Sequence, residues 1–159
     1  MARKAKLPAL LAGAALALPC ACAVTEHHGH DAGKPPADSR IEVEFPAPLR
    51  EHTLANMRDH LLTLQDIQAA LAAGKFDLAG EISERRLGMS SLDAHGAHDV
   101  AKYMPQGMQD AGGAMHASAS RFALAAQNAS ATQDVKPALA ALAEVTARCV
   151  ACHAAYRLK

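Results

Sequence analysis

From Pro48 to the end of the chain, apolar and polar positions alternate with a helical period. Leu54, Met57, Leu61, Leu64, Gln68 and Leu71 recur at steps of three and four, which predicts one interior helix face. Pro48 suits a first helical position, and Gly74 supplies the stop. A second, shorter helix is predicted from about Asp77 to Leu87, with Ala79, Ile82 and Leu87 available for burial. Gly88, Ser90, Ser91, His95 and Gly96 mark residues 88–103 as a long connection with room for a helical turn. Met104-Pro105 opens a third helix that carries Met104, Met108, Ala111, Met115 and Phe122 on one face, although Gly112-Gly113 weakens its early turns. A fourth begins at Thr132 or Asp134 and carries Leu139, Leu142, Val145, Cys149, Cys152, His153 and Tyr156 to the C-terminus. Upstream, Ile41–Phe45 alternates like a strand. With no partner strand in sight, it is expected to lie extended on the surface. The predicted fold class is all-α.

The first residues follow a different pattern. Arg3, Lys4 and Lys6 precede an apolar run from Leu7 to Leu18, and Ala21-Cys22-Ala23 offers a small-residue cleavage site. This is the layout of a secretory signal peptide over residues 1–23. The run is shorter than the roughly 20 residues a membrane-spanning helix needs. With no comparable run elsewhere, the mature chain is expected to be soluble and periplasmic. The competing layout is a lipid anchor through Cys20 or Cys22, with Ala17 or Pro19 standing three residues earlier, where Leu is usual. Residues 24–47 read as a flexible arm: His27-His28-Gly29-His30-Asp31 and Gly33-Lys34-Pro35-Pro36 can bury little. The imidazoles there could hold copper, nickel or zinc, or form a plain solvated tail.

Removing the leader leaves 136 residues, within the range of one domain, assigned to 48–159. The three leader charges are basic, so a balance of 16 against 16 becomes 13 basic against 16 acidic. Nothing in that charge pattern points to nucleic acid. Aromatics are few (three Phe, two Tyr, no Trp), so a helical core here would gain from a large flat hydrophobic group, at about 25 cal/mol per buried Å².

Such a group is written into Cys149-Val150-Ala151-Cys152-His153. Cys-x-x-Cys-His is the attachment sequence of a c-type haem. Two thiols add across the two vinyl groups of one porphyrin, and the next imidazole reaches the iron. Positions i, i+3 and i+4 share a helix face, so Cys149, Cys152 and His153 can all address one macrocycle. A zinc site would need a second ligand pair, and a thioredoxin-like redox pair would need a βαβ surround. Neither is visible in the sequence. With Cys20 and Cys22 removed in the leader, the motif uses every remaining cysteine.

The run Cys149-Val-Ala-Cys152-His153-Ala-Ala-Tyr156-Arg157-Leu-Lys159, on the last of four helices, resembles the end of cytochrome c′. The resemblance implies an up-and-down four-helix bundle with one haem c bound covalently through the C-terminal helix. It extends to the first helix, where the family has a basic residue followed four positions on by a side chain covering the open iron face. Arg50 and Leu54 match that spacing. An apolar cover implies five-coordinate iron that binds small gases such as NO or CO. The family's low-spin relatives place Met there as sixth ligand, and Met57 stands one turn beyond Leu54. By the same resemblance Arg157 lies near the His153 side of the haem, Tyr156 packs in the core, and the protein is a homodimer.

The expected function is therefore that of an exported mono-haem cytochrome, active in electron transfer with redox partner proteins, in gas binding, or in both. The alternative is a six-coordinate His153/Met57 electron carrier. A peroxidase reading lacks a distal acid–base pair, so the chain is not expected to be an enzyme. His52 and His60 are expected at the surface or the bundle edge. The segment 95–116 is rich in His and Met (His95, His98, Met104, Met108, Met115, His116). It reads either as ordinary helix and loop residues or as a second metal site.

Overall fold

The structure, a computed structural model, describes residues 37–159. The expected signal peptide, the alternative lipid anchor and the His27–His30 cluster lie outside the described residues. The described unit is all-α apart from one pair of short strands. Its elements are β1 (Ile41–Val43), α1 (Ala47–Ala72), α2 (Phe76–Arg86), a 3-10 turn (Met89–Ser91), α3 (Ala97–Ala101), α4 (Gln106–Thr132), α5 (Lys136–Ala155) and β2 (Tyr156–Leu158). The helices start and stop where sequence chemistry directs. Pro48 sits in the first turn of α1, Gly74 takes a left-handed φ of +69° after it, and Pro137 opens α5.

Neighbouring long helices pack in chain order, α1 on α2, α2 on α4 and α4 on α5. Ile67 and Leu71 from α1, Ala79 from α2, Leu87 just beyond α2, Met115, Ala119 and Phe122 from α4, and Ala138, Leu142 and Val145 from α5 build the main core. Alanine lets α2 and α4 approach closely, and Gly80 is needed at their crossing: a Cβ there would stand 2.9 Å from the Ala123 carbonyl oxygen. Polar ties reinforce the contacts. The buried Ser83 hydroxyl donates to the Ala119 carbonyl at 3.0 Å, and Arg86 reaches across to Asp59 (2.6 Å) and Asp66 (2.7 Å) on α1.

Two expectations are corrected. The buried side of α1 is Thr53, His60, Thr63, Ile67, Ala70 and Leu71, rotated by about one residue from the predicted stripe. Leu61 is 69 % exposed, Gln68 is exposed, and Leu54, Met57 and Leu64 are only half-buried. A periodicity count locates the apolar stripe, but packing on α2 selects a face that admits small and polar residues. Likewise, Ile41–Val43 is not an unpaired surface segment. The last helix ends at Ala155 rather than continuing to the terminus, and the released residues Tyr156–Leu158 pair with β1 in parallel, Ile41 opposite Tyr156 and Val43 opposite Leu158. Val43 and Phe45 are buried with Val100 in a second, smaller cluster that Leu49, Met104, Met108, Tyr156 and Leu158 complete. Residues 41–45 thus pair and pack with the helical unit rather than trailing from it.

Candidate functional site

The last turns of α5 carry the cysteine–histidine motif. The helix is continuous through Cys149, Cys152 and His153, so the i, i+3, i+4 relation holds in the backbone. Both thiols are unpaired and half-buried, with Cys149 touching the main core, while His153 is exposed. Burial pushes both thiols above their usual pKa, and for Cys149 the neighbouring Cys152 adds to the shift. The negative end of the α5 dipole disfavours a thiolate there as well. A disulfide-exchange pair works through a thiolate of lowered pKa. Here burial shifts both thiols the other way, which does not suit such a pair.

The surface around the motif is apolar and thinly covered. Helix α5 is apolar over most of its length, yet only 17 % of its most apolar stretch is buried. By length and composition alone it could cross a membrane. Val150, inside the motif, is 64 % exposed. The residues present therefore fit a flat hydrophobic group held by two thioethers, with apolar area beside it still to be covered.

The remaining expected site residues scatter. Leu54 and Met57 share α1 and are both half-buried. Arg50 turns towards the C-terminus, where its Nε donates to the Lys159 carbonyl oxygen. Arg157 lies in β2, pairs with Glu42 across the strand pair and stands 3.5 Å from Asp38. Tyr156 joins the smaller cluster, its hydroxyl against Gly107. These three residues fasten the two ends of the unit together. Arg40 brings the same strand pair beside the motif, its Nη1 lying 3.5 Å from the His153 carbonyl oxygen.

One grouping was invisible in sequence. His60, expected at the surface or bundle edge, is buried, and its ring faces His95 (centroids 4.8 Å apart) and His116 (6.1 Å). His95 and His116 stand 5.3 Å apart. The His- and Met-rich segment 95–116 is divided by the fold. Met104 and Met108 join the smaller cluster, Met115 joins the main core, and His98 is exposed. Only its two other histidines meet, and they do so around a third from α1. The sequence signals were the His- and Met-rich character of 95–116, which includes His95 and His116, and the out-of-stripe position of His60. Comparison with family models, curated proteins and solved structures finds no match.

Proposed function

We propose that this chain is an exported, periplasmic mono-haem c-type cytochrome of the cytochrome c′ kind, with Cys149 and Cys152 forming the thioethers and His153 the axial ligand. The observation that carries the reading is the set of two unpaired, half-buried thiols one helical turn apart, followed directly by an exposed imidazole. The haem would supply a one-electron couple and, with its sixth position open, a site for NO or CO. The four long helices α1, α2, α4 and α5, packed in chain order, suit an up-and-down bundle, and the exposed apolar side of α5 suits a haem face, a homodimer contact or both. Leu54 would cover the iron in the open form, while Met57 would ligate it in the alternative.

Expression in a periplasm with haem-maturation machinery tests this directly. A denatured chain that keeps its haem, and loses it wholly in the Cys149→Ala/Cys152→Ala variant, supports covalent attachment. A wild-type chain that sheds its haem on denaturation, or takes none, overturns it. For the attached protein, CO added to the reduced form should shift the absorption spectrum strongly if Leu54 caps an open iron. A low-spin spectrum indifferent to CO, which becomes CO-sensitive in Met57→Ala, assigns the sixth position to Met57.

A further inference from the structure

Three imidazoles meet between α1, the 88–103 connection and α4, and we propose that His60, His95 and His116 form a binding site for a divalent transition-metal ion of the zinc or copper type, built from residues other than those of the Cys149–His153 motif. Three observations carry it.

The first is spacing. Nitrogen ligands at 2.0–2.1 Å in tetrahedral arrangement place imidazole ring centres about 5 Å apart. The three centroid separations are 4.8, 5.3 and 6.1 Å.

The second is the proton arrangement. His116 Nδ1 lies 2.8 Å from the Leu87 carbonyl oxygen, which can only accept, so Nδ1 carries the proton and Nε2 keeps its lone pair. The Ser91 hydroxyl gives its own proton to the Gly88 carbonyl at 2.7 Å, so its oxygen is left to accept from His95 Nδ1, 3.4 Å away. Both rings thus have Nδ1 held by an oxygen and Nε2 available, the outer-shell arrangement that orients metal-bound histidines.

The third is an orphan. His60 is 7 % exposed, and its Nε2 is fully buried with no hydrogen-bond partner. A buried ring nitrogen without a partner costs about 1–3 kcal/mol, and a bond to a metal ion would satisfy it.

Three neutral imidazoles without a thiolate suit Zn2+ or Cu2+ and leave a fourth position for water or another small ligand. Among the described residues no three His, Cys, Asp or Glu side chains stand, as they are, in a grouping that could hold a metal ion, so binding requires the three rings to turn.

The test uses the full chain as isolated, stripped with a chelator and titrated with ZnCl2 by calorimetry, with CuCl2 and electron paramagnetic resonance as the second probe. Because the arm histidines can bind metal, the His27→Ala/His28→Ala/His30→Ala variant serves as the reference. The expected result is one ion per chain in that reference, nitrogen hyperfine structure on the copper signal, and affinity lower by about tenfold or more in each of His95→Gln and His116→Gln. His95 is only half-buried, so its variant keeps the test clean should His116→Gln fold poorly. A reference protein that binds no ion, or a His95→Gln variant that binds as tightly as the reference, overturns the site. So does a haem-iron spectrum that changes in His60→Gln while zinc affinity stays fixed, because that would make His60 an iron ligand instead.

Discussion

Two sets of ligand-type side chains stand out among the described residues, and they are assembled in opposite ways. Cys149, Cys152 and His153 come from five consecutive residues at the end of one helix, half-buried or exposed, and need only that helix to share a face. His60, His95 and His116 come from α1, a connection and α4, and meet only because the whole unit folds. The contrast separates chemistry from stability. A cluster made by local geometry can be altered with little effect on folding, whereas one made by tertiary packing is part of what folds.

The largest effect should therefore come from the buried set. His116→Ala removes a ring that is 8 % exposed, empties its volume and leaves the Leu87 carbonyl without its donor. A loss of about 2–4 kcal/mol is expected in urea unfolding. Val150→Ala, inside the motif at 64 % exposure, should stay within about 0.5 kcal/mol. If the two variants lose similar amounts, the distinction between the regions fails.

Protonation gives the next effect, again confined to the buried set. Burial lowers the pKa of all three rings and takes His60 down to about 4. The neighbouring His95, His116 and His153 push His60 the same way, and only Asp59, itself paired with Arg86, opposes them. An unfolded His60 takes up a proton near pH 6.5, while the folded one resists until about 4. The unfolded state thus binds more protons in that window, and stability is full above pH 6.5 and falls as the pH drops towards 4. The loss from His60 alone is up to about 3 kcal/mol. Urea midpoints of chelator-treated protein across pH 7 to 4 should show this slope, and His60→Gln should flatten it. An unchanged slope would mean that the rings are not held neutral by the fold.

The same division explains what could be read in advance. The helices were legible because Pro48, Gly74 and the three–four spacing are local signals, and the motif was legible because its chemistry fits within one helical turn. The face of α1 was misjudged by one residue because Thr53, His60 and Thr63 are polar by composition but are buried by the fold. The strand pair was missed because β1 and β2 stand more than 100 residues apart and each is three residues long, too short to signal a partner. The histidine trio was missed for a related reason: His60 read as an off-stripe surface residue, and nothing local ties it to His95 or His116.

The smallest predicted effect sharpens the boundary between the regions, since Arg157 has two competing roles. The resemblance to cytochrome c′ would set it beside the proposed haem, whereas the structure pairs it with Glu42 across the β1–β2 ladder, with Asp38 close by. Its side chain is 36 % exposed and that of Glu42 38 %, so the pair should be worth about 0.5–1 kcal/mol and weaken as salt is added. Arg157→Ala should then speed exchange of the Lys159 amide, which donates to the Val43 carbonyl at 3.1 Å, while the spectrum of the proposed haem stays as it was. A shifted spectrum with unchanged exchange would return Arg157 to the haem site, and the C-terminal strand would belong to the motif's chemistry rather than to the clasp that closes the fold.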